Sequence, residues 1–134
     1  MFDYILGALP HFLAYFGTAA LLGIAFIVVY SAITPLSEFT LIKEGHTAPA
    51  ISIVGAFIGF AIPLAIVIGN SVSIPDVVFW GIVVLAVQLL VFFVTSKVFS
   101  GIAKKLEEDC LASGVFLGGT SIAVGILNAA CMVP

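Results

Sequence analysis

The stretch 55-GAFIGFAIPLAIVIGN-70 decides the fold, because it is apolar enough to cross a membrane as a helix. It also contains Gly55, Gly59 and Pro63, residues that weaken a helix in water. In lipid the hydrophobic effect does not drive helices together, and small residues let two backbones approach closely. The stretch therefore predicts a membrane-spanning helix that packs tightly against a second helix.

The composition of the whole chain is that of a membrane protein. Of its 134 residues, 63% are hydrophobic and only 8% are charged, too few to cover a soluble globule. Its four basic residues are all lysines and its formal net charge is −3, which argues against a nucleic-acid partner. The predicted environment of the chain is the lipid bilayer.

Charged and turn residues divide the chain into four apolar segments, at residues 12–34, 48–69, 75–96 and 111–132. Each has about 20 residues or more, enough to cross a hydrocarbon core of about 30 Å as a helix. Asp3 precedes the first segment without any basic residue, so we expect a retained helix rather than a cleaved signal peptide. The predicted fold is an all-α integral membrane protein with four transmembrane helices.

The lysines predict the orientation in the membrane. All of them lie in the loops that follow the first and third segments, at Lys43, Lys97, Lys104 and Lys105. The positive-inside rule places both loops in the cytoplasm. Because the number of spans is even, both termini are predicted to lie outside the cytoplasm.

The two lysine loops have helical patterns of their own. In residues 97–108, the apolar residues Val98, Ile102 and Leu106 recur every four positions between charged ones. This spacing predicts an amphipathic helix on the cytoplasmic surface, with a solvated helical connector as the alternative. A weaker version covers residues 37–44, where Ser37 is a candidate N-cap and the following glycine a helix stop.

A shift of 64 residues aligns the first segment with the third and the second with the fourth. Residues 11–70 and 75–134 then share eight identities, and the lysine loops coincide. Each half contains two spans, so the halves would have the same orientation. The pattern predicts two tandem two-helix repeats, at residues 1–70 and 71–134.

Small residues four positions apart predict where the second and fourth spans meet. We expect a close crossing near Gly55 and Gly119, either within one chain or between protomers. The candidate packing residues are Gly55, Gly59, Gly114, Gly118, Gly119 and Gly125.

Few side chains suggest chemistry. The loops are short and carry no phosphate-binding, dinucleotide, nucleophile or zinc motif, so no catalytic residue, metal site or cofactor is predicted. Gln88 and Asn128 lie within spans, where they either line a polar path or form hydrogen bonds between helices.

Charged residues at the cytoplasmic side form the remaining candidate site. The 64-residue shift pairs Glu44 with Glu108 and His46 with Cys110, a set that could bind a metal but is explained as well by ordinary surface charges near helix starts. Together with the lysines of the second loop they mark a cytoplasmic mouth or docking surface, formed by Glu44, Glu108, Lys104 and Lys105.

Several strings carry a family resemblance: 33-ITPLSEFTLI-42, 62-IPL-64, 73-SIPD-76, 88-QLLVF-92 and 128-NAACM-132. In their order and spacing the chain resembles the YjfL-like small inner-membrane proteins, whose domain is called domain of unknown function 350. The resemblance implies a bacterial inner-membrane protein with four spans in two repeats and brings no established activity. Relatives in that family are often encoded near phage-shock-type peripheral membrane proteins, an association that suggests a peripheral cytoplasmic membrane-stress protein as a partner.

Two functions remain open at this point. The first is a non-enzymatic, homo-oligomeric membrane scaffold or docking component that acts in envelope stress. The absence of catalytic motifs and the two charged loops favour it. The second is a small cation channel or transporter lined by Gln88, Asn128 and the acidic pair.

Overall fold

The computed structural model describes residues 2–34 and 37–132, and all the regular structure in these ranges is α-helical. Six helices follow one another, and within the described residues four of them are long and apolar enough to cross a membrane. The long helices are α1, α3, α4 and α6, and the order is α1 (Phe2–Ile33), α2 (Glu38–Lys43), α3 (Thr47–Asn70), α4 (Ile74–Val98), α5 (Ile102–Glu107) and α6 (Leu111–Cys131).

The predicted spans coincide with the long helices except at the N-terminus. Helix α1 begins at Phe2, ten residues before the predicted start, and has 32 residues. At 1.5 Å per residue it is about 48 Å long, more than the hydrocarbon core requires. The first half of α1 is exposed in the single chain, so its apolar side chains lie outside the bundle.

The centre of the bundle is the contact between α3 and α6. A Cβ atom built on Gly55, Gly59, Gly114 or Gly125 would come within 3.0 Å of backbone atoms of the opposite helix. Gly114 lies against Ala48 and Gly125 lies against Gly59, so the two helices run in the same direction. In this structure the contact, here called the glycine seam, lies within one chain.

One glycine of the predicted crossing lies outside the glycine seam. Gly55 faces Gly118, whereas a Cβ atom on Gly119 would meet nothing within 4 Å. Gly119 instead lines a shallow apolar groove of about 420 Å³ on the outer side of the two helices. The expected crossing near Gly55 and Gly119 is therefore displaced by one residue on α6.

Helices α1 and α4 pack around α3 and α6 through aromatic and small residues. Phe26 of α1 stacks on Phe60 of α3, with ring centroids 4.6 Å apart. Tyr30 of α1 meets the edge of Phe92 of α4 at 5.8 Å. All four of these rings are buried, so they fix α1 against the rest of the bundle by dispersion and apolar burial.

The two short helices lie at the lysine-bearing end of the bundle. Helix α5 begins and ends 64 residues after α2, and each is followed by a residue with positive φ, Gly45 at 89° and Asp109 at 59°. The amphipathic helix predicted over residues 97–108 is interrupted, because α4 continues to Val98 and Gly101 has a φ of 86°. Ile102 and Leu106 are buried against the bundle. The apolar face of α5 thus packs on protein, whereas the expectation placed it on the membrane surface.

Replacing Gly55 by alanine should destabilise the protein, because the new methyl group meets backbone atoms of Gly118 that cannot rotate away. Overpacking of this kind costs about 1–3 kcal/mol. The matched control is Gly119→Ala, which adds the same methyl group in open space on α6 and should be neutral or slightly stabilising. Thermal unfolding in one detergent or nanodisc preparation measures both, and equal effects of the two substitutions would contradict the seam.

Candidate functional site

Gln88 lies at the middle of the bundle and joins two helices. Its side chain is fully buried, and Nε2 donates a hydrogen bond of 3.1 Å to the backbone oxygen of Ser121 on α6. Gly59 leaves the space that Gln88 occupies, since a Cβ atom there would come within 3.0 Å of Nε2. Gln88 Oε1 has no hydrogen-bond partner among the described residues. The amide therefore acts as a contact between helices, with one acceptor left over.

Asn128 lies near the C-terminal end of α6, and no hydrogen bond among the described residues joins it to Gln88. It is half-buried, and its Nδ2 atom is buried without a partner in the described part of the chain. The hydrogen bonds of the described residues form no continuous polar path between the amides of Gln88 and Asn128.

The four residues of the predicted mouth are all exposed at the lysine-bearing end. Glu44 follows α2 and Glu108 follows α5, while Lys104 and Lys105 lie on the outer side of α5. Glu44 makes a weak pair with His46, with Oε2 and Nε2 3.9 Å apart. Within the described ranges, no three His, Cys, Asp or Glu side chains come together in a group that could hold a metal ion.

Asp109 makes a contact that the sequence did not predict. Its Oδ1 accepts a hydrogen bond of 2.8 Å from the backbone N–H of Ala48, 61 residues earlier in the chain. Ala48 lies in the first turn of α3, where the backbone N–H groups have no acceptor within the helix. Asp109 therefore caps α3 from the loop that precedes α6. The next residue, Cys110, has a thiol whose pKa is lowered because Ser113 hydrogen-bonds to it.

The burial of a second acidic residue, Glu38, was also not predicted from the sequence. It is 3% exposed, in the first turn of α2, and its Oε1 accepts a hydrogen bond from the hydroxyl of Thr34. Tyr30 and Ser31 lie near Glu38, and Ser52 lies near Tyr30. Together with Thr34, these residues are here called the Glu38 cluster. Burial raises the pKa of the Glu38 carboxyl, while the hydrogen bond from the Thr34 hydroxyl opposes the shift.

A signal for this burial exists in the sequence. Glu38, Leu41 and Ile42 stand at positions i, i+3 and i+4, so the acid shares the inward face of α2 with two apolar residues. The face of a six-residue helix is a weak pattern, and Glu44 was singled out instead because the 64-residue shift pairs it with Glu108.

The family model described as Domain of Unknown Function (DUF350) matches residues 4–132. The chain belongs to the DUF350 family. The UPF0719 inner membrane protein YjfL of Escherichia coli strain K12 is 40% identical over 129 residues, which cover 96% of this chain and 98% of that protein. YjfL of Escherichia coli O157:H7 matches to the same extent. No solved structure matches the chain.

Membership in the DUF350 family confirms the resemblance noted in the sequence. The relatives are named as inner membrane proteins, and the four long apolar helices of this chain fit that name. The chain is thus a multi-pass member of an uncharacterised inner-membrane protein family. The family description assigns no activity, so the residues of the site must be interpreted from their geometry.

Replacing Asp109 by glycine should remove the cap of α3 while keeping a residue that accepts positive φ. We expect a loss of about 1 kcal/mol in the free energy of unfolding, the usual cost of losing a helix cap. Hydrogen exchange at the amide of Ala48 should rise in the same variant.

The control for this experiment is Asp109→Asn, which keeps an oxygen acceptor and tolerates a left-handed backbone. Its stability and its Ala48 exchange should stay close to those of the original protein. If the glycine variant were as stable as the asparagine variant, the cap would have no energetic role.

Proposed function

We propose that this DUF350 protein is a non-enzymatic, homo-oligomeric docking component of the bacterial inner membrane, acting in the response to envelope stress. Its contact surface would be the lysine-bearing end of the bundle, formed by Glu44, Glu108, Lys104 and Lys105. The partner would be a peripheral cytoplasmic membrane-stress protein, and the bilayer anchors the chain.

The observation that carries this proposal is the way α5 is attached. Ile102 and Leu106 are 3% and 1% exposed, so the helix is fixed to the bundle by its apolar face. Lys104 and Lys105 are therefore held on the opposite, solvent-facing side. Charges on a fixed helix lose less conformational freedom on binding than charges on a flexible loop, which favours recognition of a partner.

The bundle centre supports docking over conduction. The glycine seam brings α3 and α6 into backbone contact, and Gln88 fills the adjoining space with a hydrogen bond to Ser121. Hydrated ions need a path lined with polar groups, and the seam residues present few of these.

We further propose that residues 1–70 and 71–134 are tandem repeats with one orientation. Three observations support this arrangement. Helices α2 and α5 match at a 64-residue offset, and the residues that follow them, Gly45 and Asp109, both have positive φ. Helices α3 and α6 also run in the same direction. The hydrogen bond from the amide of His46 to the oxygen of Leu41 has its counterpart between Cys110 and Lys105.

A small cation channel or transporter is the second candidate. Gln88 Oε1 and Asn128 Nδ2 are buried without partners among the described residues, and such atoms could face a polar path in an oligomer. Cation flux into liposomes separates the two functions. A channel would lose flux with Gln88→Leu or Glu44→Gln, whereas a docking component gives no flux above empty liposomes.

Reversing the charge of Lys104 or Lys105 should release the cytoplasmic partner, because each substitution changes the outward face of α5 without touching its buried face. Crosslinking in intact cells, followed by purification of the membrane protein, measures the retained partner. We expect at least a several-fold loss for Lys104→Glu and for Lys105→Glu.

Lys97→Glu is the matched control, because it makes the same charge change on an exposed residue of α4. It should retain the partner. If all three variants lost the partner equally, the cause would be the overall charge of this end of the protein rather than α5. If the α5 variants retained the partner fully, the docking surface would be refuted.

The proposed orientation, with both termini outside the cytoplasm, predicts the sidedness of thiol labelling. Cys110 precedes α6 and Cys131 ends it, so the two free thiols lie at opposite ends of a spanning helix. A membrane-impermeant maleimide added to spheroplasts should label Cys131, and Cys110 only after permeabilisation. Single-cysteine variants, Cys110→Ser and Cys131→Ser, assign each signal, and the reverse pattern would invert the orientation.

A further inference from the structure

Glu38 is a buried carboxyl group without a positive partner in the described structure. It is 3% exposed, while Lys43, Lys97, Lys104 and Lys105 are all exposed. The one ion pair found among the described residues joins His46 and Glu44 instead. An ionised carboxylate in such a site is costly, since burial removes it from bulk water and no basic side chain of the described residues pairs with it.

The hydroxyl groups around Glu38 leave room for one more proton. Thr34 donates to Oε1, and Oε2 is buried with no partner among the described residues. The hydroxyl oxygens of Tyr30 and Ser31 are likewise buried, and neither makes an aligned hydrogen bond in the described chain. A proton on Oε2 would turn this oxygen into a donor, for which these two oxygens are nearby acceptors.

The helices packed around the Glu38 cluster disfavour a negative charge there. Helix α1 ends beside it, has no basic residue in its last turn, and presents the negative end of its dipole. Helix α3 contributes Ser52 and carries no charged residue. Lys43 on α2 and Lys97 on α4 are exposed, and His46 is half-buried near Glu44. Asp76 is half-buried in the first turn of α4, at the end of that helix away from Lys97.

From this arrangement we propose that the Glu38 cluster is a proton-binding site, in which Glu38 carries an exchangeable proton at neutral pH while α2 is packed against the bundle. The ligand is the proton itself, and the residues that hold it are Glu38, Tyr30, Ser31 and Thr34. This site is independent of the docking surface, which consists of exposed residues.

The proton couples to the packing of α2. Burial raises the pKa of Glu38 when α2 is packed, and a detached α2 would restore the ordinary value of 4.5. The packed state therefore binds more protons than the detached state between 4.5 and the raised pKa. Packing of α2 must weaken as the pH rises through that window, remain constant above it, and be fully favoured below it.

Infrared spectroscopy of the protein in bilayers tests the proposal. At pH 7 the original protein should show a C=O stretching band of a protonated carboxylic acid, which Glu38→Gln removes. Glu44→Gln is the matched control, because Glu44 is an exposed acid six residues away and its loss should leave the band unchanged. Absence of the band at pH 7, or its survival in Glu38→Gln, would overturn the proposal.

Two further arms keep the test decisive. If Glu38→Gln does not fold, Thr34→Val serves instead: it removes a hydroxyl that favours the carboxylate, so the band should persist to higher pH. A midpoint that falls or stays constant would contradict the assignment. Replacing choline by sodium at constant pH and ionic strength should not change the band, and its loss in sodium would assign the site to a metal cation.

A spin label at Lys43, introduced as Lys43→Cys in a Cys110→Ser, Cys131→Ser background, reports whether α2 is packed. The mobile fraction should increase with pH when Glu38 is present and stay constant in the Glu38→Gln variant. Identical pH profiles with and without Glu38→Gln would show that the proton on Glu38 does not control the packing of α2.

Discussion

Backbone contact between α3 and α6 is the constraint on which the rest of the structure depends. Without a hydrophobic driving force between helices, the bundle relies on dispersion at short range, and only glycine permits this range at Gly55, Gly59, Gly114 and Gly125. The close pair then defines the grooves that α1 and α4 fill with Phe26 and other aromatic side chains. The arrangement leaves little space at the centre, where the buried amide of Gln88 donates a hydrogen bond to the Ser121 oxygen.

The membrane makes the coarse fold readable from sequence, because it imposes a length and an apolar composition on every span. The four helices and the small-residue pattern were therefore predictable, and the family match confirms the class of protein. The choice between Gly118 and Gly119 was not, since one residue turns the helix face by about 100° and both glycines satisfy the same pattern. The start of α1 was missed for a related reason: residues 2–11 are apolar and helical, and Asp3 gave no boundary.

The polar sites were less predictable, because burial of a loop residue depends on how short helices fold back. The interpretation of Glu44 and Glu108 as surface charges fits their exposure, whereas the burial of Glu38 was not predicted. The link from Asp109 to Ala48 joins residues far apart in sequence and has no local signature. The sequence already indicated that Gln88 could form a hydrogen bond between helices. Its partner, a backbone oxygen on α6, is known only from the structure.

The position of Asp109 has a consequence for how the chain is made. Synthesis proceeds from the N-terminus, so α1 and α3 enter the membrane before the residue that caps α3 and before the helix that covers its glycines. During that interval the glycine face of α3 lacks the backbone of α6, and the amide of Ala48 lacks the Asp109 oxygen that caps it. Insertion of α6 then supplies the cap and the packing partner in a single step. The insertion of α6 thus determines when α3 acquires its native contacts, and membrane quality control would encounter an incompletely packed helix until then.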